Sequence, residues 1–195
     1  MGAVESFEPS ASLLNRHRLT VDEYYRMADA GVLAPDARCE LIEGEIIDMS
    51  PQKIRHASVV TRLLERFFNV VQGRAKLMGQ MPLRLSPSSE PEPDLVMLRH
   101  RADDYTLAHP GAEDVLLLIE VADTTVRYDR EVKLPLYARH GVVEVWLFDL
   151  PAGQLRIHRR PRDGEYAEVL VLDEPGRIDV PGIDGATIDA SDLLR

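Results

Sequence analysis

The chain has 195 residues, 45% of them hydrophobic, enough for one domain with a sizeable buried core. It carries 33 acidic against 23 basic residues, a net charge of −10, which excludes a protein that coats nucleic acid through surplus Lys and Arg but not an enzyme whose metal-binding carboxylates add charge of their own. The longest apolar run, Val115 to Ile119, is too short to cross a bilayer, and the single Cys39 excludes a disulfide framework and a Cys-based zinc cluster.

In chain order, residues 1–17 lack periodicity and read as a loose arm. Thr20 can cap a helix with Glu23 as its reciprocal partner and Leu19 stapling onto Tyr24; Gly31 and Pro35 end it. Cys39–Ile42 and Glu45–Met49 flank Glu43-Gly44, the signature of a tight hairpin. A helix follows over about Arg55–Val71, with Val59, Leu63, Phe67 and Val70 on one face and Gly73 closing it. Two strands are predicted at about Ala75–Gln80 and Met81–Leu85, then a turn rich in Ser and Pro. Asp94–Leu98 reads as a strand beginning at its acid, and Val115–Ala122, apolar except for Glu120, as a central strand covered on both faces. A helix over about Asp129–His140, a strand over Val142–Leu150 and a hairpin from Gln154–Arg160 and Tyr166–Leu172 complete the pattern. The tail carries turn signals and one short apolar element. No internal repeat and no linker divides the chain, so the expectation is a single domain over 18–195. Its fold class is α/β (α+β), a mixed central sheet flanked by helices, with N-terminal and C-terminal β-hairpins.

The charge is unevenly spread. Asp163 to Asp192 holds nine acids and one base, Arg177, a net of −8, which leaves 24 acids and 22 bases elsewhere. Within that nearly neutral body, Arg55, Arg62, Arg66, Arg74 and Lys76 form one basic cluster, Arg99 and Arg101 a second, and Arg156, Arg159, Arg160 and Arg162 a third. Each alone reads as a solvated face; together they leave room for a phosphate-binding surface.

Glu120 is the most informative residue. Buried and unpaired, a carboxylate within Leu-Leu-Leu-Ile-Glu-Val-Ala would cost several kcal/mol, so it faces a polar cavity, a metal or a cationic partner such as Arg. Pro93-Asp94 places a second carboxylate at a strand start 26 residues earlier. Lys133 follows Glu120 by 13 residues, on one helix face with Tyr137 at i+4. Two carboxylates from adjacent strands, completed by a neighbouring backbone carbonyl, can hold Mg²⁺, and a lysine beside them can orient the attacking water and stabilise a pentavalent phosphate. A Gly-rich phosphate loop, a Gly-x-Ser-x-Gly elbow and a His-Glu-x-x-His motif are all missing from the sequence.

Pro93-Asp94, Ile119-Glu120-Val121, Asp129-x-x-x-Lys133-x-x-x-Tyr137 and Gly141-Val142-Val143-Glu144-Val145-Trp146 resemble the PD-(D/E)XK nuclease superfamily, and within it the Uma-type restriction endonuclease branch. The resemblance extends upstream to Glu40-Leu41-Ile42-Glu43-Gly44-Glu45-Ile46 and His56, covering about residues 19–150. It implies a restriction-endonuclease-like core and cleavage of phosphodiester bonds dependent on Mg²⁺ or Mn²⁺, with DNA as substrate. By position, Asp94, Glu120 and the Val121 carbonyl are the implied metal ligands, and Lys133 and Glu40 join Asp94 and Glu120 as catalytic residues. The chain departs from the superfamily signature at Ala122, two after Glu120, where the lysine is expected; in the Uma-type branch the lysine comes from the following helix, here Lys133. Asp123 stands where many relatives carry Ser. His56, which could contact phosphate or orient Glu40, is a possible supporting residue, as are Gln80 and Tyr137, whose hydroxyl could steady Lys133. Cutting both strands of a duplex takes two sites, so a homodimer is expected. With no secretion signal and no membrane segment, the cytoplasm is the expected location. The alternative is a non-catalytic, nuclease-like binding or interaction protein in a DNA-modification or toxin-type system.

Overall fold

The structure, a computed structural model, describes residues 15–34 and 36–194. Most of the predicted loose arm, and Pro35, lie outside them. The first helix, α1 (Val21–Asp29), starts where its capping box requires, with the Thr20 hydroxyl accepting from Glu23 N–H and the Glu23 carboxylate accepting from Thr20 N–H. The antiparallel hairpin of β1 (Cys39–Ile42) and β2 (Glu45–Asp48) follows, then α2 (Ile54–Val71). In chain order come β3 (Lys76–Met78), β4 (Leu95–Leu98), β5 (Val115–Ala122), α3 (Val126–Tyr128), a π-helical turn (Asp129–Lys133), α4 (Leu134–Arg139), β6 (Glu144–Asp149), β7 (Gln154–Arg162) and β8 (Glu165–Leu172). A short hairpin, β9 (Arg177–Asp179) and β10 (Thr187–Asp189), ends the regular structure.

Six strands form one mixed sheet in the order β3-β4-β5-β6-β7-β8, with β5 and β6 parallel and every other pair antiparallel. Side chains alternate between its faces. Leu95, Met97, Leu117, Ile119 and Val121 pack on one face against Val59, Leu63 and Phe67 of α2 and against Val180, Ile188 and Leu193. Val96, Leu98, Leu118 and Ala122 pack on the other against Leu134 and Tyr137 of α4. β5 is thus covered on both faces, as its apolar run about Glu120 requires.

Three predicted elements differ. Residues 81–85 form no strand: Leu83 and Leu85 N–H reach Pro91 and Ser89 carbonyls while Arg84 N–H reaches Pro110, so the segment divides its bonds between two loops, and Pro87, Pro91 and Pro93 supply no N–H for a ladder. The helix predicted from Asp129 begins at Val126 and is interrupted by the π turn. The tail holds the β9–β10 hairpin where only turns and one short element were expected.

The basic cluster of α2 is not a free phosphate surface. Arg55 donates to Leu194 O (3.0 Å), Arg62 to Asp192 O (3.0 Å) and Arg74 to Asp184 O (3.1 Å), while Arg66 pairs with the Asp192 carboxylate (2.7 Å). The arginines therefore hold the acidic tail. Arg101 is taken by Asp103 and Asp114, and Arg159 by Glu144.

Gly44, in the β1–β2 turn, has φ +78°, and a Cβ there would lie 2.7 Å from Arg18 Cβ and 2.9 Å from Leu19 N. Gly44→Ala is expected to lower stability by more than about 1 kcal/mol, from backbone conformation and overlap together. Urea denaturation measures it; a midpoint equal to wild type refutes it.

Candidate active site

The strand period places Asp94 and Glu120 on the α4 face, and the Leu95–Ile119 register sets them side by side. Val121 N–H donates to Asp94 Oδ2 at 2.8 Å, locking the two strand ends together. An isolated bridge between Leu41 and Glu90 carries the β1–β2 hairpin to the same point, where Glu92 N–H donates to Glu40 Oε2 at 2.9 Å. Glu40, in the β1–β2 hairpin, is 3% exposed. The three acids line a cleft of about 530 Å³ between the hairpin, the start of α2 and the α3–π segment.

Lys133 closes this arrangement. It is 4% exposed, with its ammonium 2.8 Å from Glu120 Oε1 and 3.4 Å from Glu40 Oε2. Tyr137, one turn further on, donates to Glu120 Oε1 at 2.5 Å, so its hydroxyl steadies the acid and not the lysine. His56 lies 3.1 Å from Asp94 Oδ2 and orients that acid instead of Glu40. Gln80 is set apart: it does not line the cleft, and only its backbone N–H reaches Asp94 O (3.2 Å). Asp123 sits at the rim, 4.0 Å from Lys53.

Three cleft residues were given no role from sequence. Asp129, 5% exposed, accepts from the Thr125 hydroxyl at 2.6 Å; its spacing four before Lys133 was the available signal. Tyr128 donates to Glu40 Oε1 at 3.0 Å, a partner 88 positions away that no local pattern reveals. Glu92 lines the cleft beside Glu40. A π turn carries an extra residue per turn and is common at functional sites; here it spans Asp129 to Lys133 and buries both.

Glu40 and Glu120 thus contact one ammonium, with Asp94, Asp129 and Glu92 in the same cleft. Burial pushes the Glu120 carboxyl up to about 8, Lys133 opposing and Asp129 and Asp94 adding to the rise. Burial likewise raises Asp129. Burial works against the charged form of Lys133, but the carboxylates of Glu120, Glu40 and Asp129 outweigh it and hold the amine protonated. Burial also works against charged His56, and the bond to Asp94 outweighs it, raising the imidazole above its ordinary 6.5. The stability contributed by the His56–Asp94 pair is therefore full below pH 6.5 and lost as pH rises through the folded value. In an NMR titration without divalent cations, His56 is expected to titrate above 6.5 and to fall in Asp94→Asn; an unchanged midpoint removes Asp94 as the cause.

Among the described residues, no group of three or more His, Cys, Asp or Glu is arranged around a metal position. The Asp94–Glu120 pair nonetheless fits Mg²⁺, which takes one or two carboxylates and keeps waters in its remaining positions. Asp94 Oδ1 and Glu120 Oε2 carry no hydrogen bond to described residues.

The Uma2 family model, described as "Putative restriction endonuclease", matches residues 21–191. A crystal structure described as "a putative nuclease belonging to DUF820", from Anabaena variabilis, superposes with a TM-score of 0.70 at 18% identity, over 90% of this chain and 97% of that one. At that identity the likeness concerns the fold. Among curated proteins no match was found.

Proposed function

The chain belongs to the Uma2 family, and on that premise we propose that it is a divalent-cation-dependent endonuclease that hydrolyses phosphodiester bonds in DNA, working as a cytoplasmic homodimer. The observation that carries this reading is the buried Lys133 ammonium held between Glu120 and Glu40 beside Asp94, in an open cleft. Asp94, Glu120 and the Val121 carbonyl are the residues that would hold Mg²⁺ or Mn²⁺. Once bound, the ion lowers the pKa of a ligated water and offsets the charge that develops on phosphate.

The chain's own residues supply the remainder. Lys133, being charged, acts as a donor: it orients the attacking water and neutralises the phosphate oxygens. Glu40 would keep the ammonium in place were Glu120 engaged by a cation, and is itself fixed by Tyr128 and by Glu92 N–H. His56 and Val121 N–H fix Asp94, and Tyr137 fixes Glu120. The lone thiol, Cys39, is buried and suits a reducing compartment.

The test is cleavage of plasmid, linear, single-stranded and branched DNA with Mg²⁺ or Mn²⁺, wild type beside Glu120→Ala. Metal-dependent cutting lost in the variant supports the reading. Cutting that persists in the variant, or no cutting of any substrate, overturns it in favour of a misplaced site or a non-catalytic binder.

A further inference from the structure

The outer edge of β8 pairs with no described strand, since β8 ends the sheet order. It is eight residues long, contains no Lys or Pro, and exposes three consecutive apolar side chains: Val169 (47%), Leu170 (44%) and Val171 (40%). Sheet edges are ordinarily blunted by brevity, Lys, Pro or a cover, because their free N–H and C=O groups pair with any extended strand. The opposite edge, β3, obeys this rule with three residues and Lys76. We propose that β8 is a homodimer interface, pairing antiparallel with β8 of a second copy about a two-fold axis at Leu170.

The sequence of the strand selects a second copy as the occupant. Val169-Leu170-Val171 reads the same in both directions, so the two-fold pair faces Leu170 with itself and Val169 with Val171 of the other chain. Both contacts are the apolar cross-strand pairs that stabilise sheets, and the same patch serves both chains, as an isologous interface requires. Charge is compatible as well. Within the strand, Glu168 meets Leu172 of the other copy, so no like charges stand opposite.

Resting on the nuclease reading, the pairing also spaces the cutting sites. From β5 of one copy to β5 of the other is seven strand intervals, a lateral separation of about 34 Å at about 4.8 Å each. One turn of B-DNA spans about the same distance, so the substrate class is duplex DNA long enough to reach both clefts.

Sedimentation velocity on the full chain across the micromolar range is expected to give a concentration-dependent species of twice 21.9 kDa. Leu170→Lys, which sets two ammonium groups across the axis, is expected to return the mass to a single chain with an unchanged circular dichroism spectrum. Leu170→Cys is expected to crosslink under mild oxidation, because the paired Cα atoms come within disulfide range, whereas Val143→Cys, exposed elsewhere (46%), is not. Native Cys39 is buried and does not compete. A wild type that stays at one chain mass overturns the proposal, whatever else covers the edge. A dimer indifferent to Leu170→Lys and lacking the Leu170→Cys crosslink overturns it too. A β8 dimer that cuts no DNA leaves the interface standing and removes the nuclease reading.

Discussion

Glu120→Ala is expected to reduce Mg²⁺-dependent DNA cleavage by at least about 10³-fold, beyond the 10²–10³ typical of deleting one preorganised electrostatic contact, because a ligand and the lysine's partner go together. The folded chain survives the change, since the cluster already carries more carboxylate than its single ammonium balances. Glu120→Gln separates charge from shape. In the cation-free wild type, Glu120 keeps its proton to about pH 8 when folded, against 4.5 when unfolded. Its favourable contribution to stability is therefore complete below pH 4.5 and disappears as pH climbs through about 8. Urea midpoints without divalent cations are expected to fall over that window in wild type and much less in Glu120→Gln. Calorimetric Mg²⁺ titration is expected to show tighter binding at pH 8 than at pH 6, because cation and proton compete for one carboxylate. Binding unaffected by pH and by Glu120→Gln would place the cation elsewhere.

Lys133→Met is expected to lower stability by about 3–5 kcal/mol, the loss usual when one partner of a buried ion pair is removed, and cleavage by about 10²–10³-fold. The stability loss is largest at alkaline pH, above the raised value of Glu120, where that acid cannot relieve it by taking up a proton. The double variant Glu120→Gln/Lys133→Met is expected to regain most of that stability, since removing both partners of a buried pair is near neutral, and none of the activity. Denaturant unfolding at two pH values, with plasmid nicking on the same samples, checks both. A single variant as stable as wild type would mean that the ammonium is not the counter-charge of the buried acids.

The site was legible in sequence where one residue contradicted its surroundings. Glu120 in an apolar strand, and the spacing to Lys133 and Tyr137, led to groups that meet within 3 Å. Partnerships across the chain were not legible. Tyr128 and Glu40 depend on the hairpin docking beside the Pro-rich loop, and His56 faces Asp94 because α2 starts at the cleft, which no spacing reports. Among the folds of the chain, the hairpins at Glu43-Gly44 and around Asp163-Gly164 were visible in their turn residues. The missing strand at 81–85 was not, because its bonds go to loops and not to one partner. The charge map was misleading for the same reason: the basic residues of α2 and the acids of the tail looked like two surfaces and are two halves of one contact.

That contact has a bearing on when the protein becomes able to act. Arg55 and Arg62 of α2 reach Leu194 and Asp192, 139 and 130 positions away, and Val180, Ile188 and Leu193 complete the hydrophobic face that α2 shares. Synthesis proceeds at about 5–20 residues per second and partners so distant in sequence pair late. His56 rides on the same helix, next to Arg55. A growing chain has therefore made its cleft residues before it can anchor the helix that carries His56 to Asp94, so the segment around residues 180–194 orders the cleft from outside it.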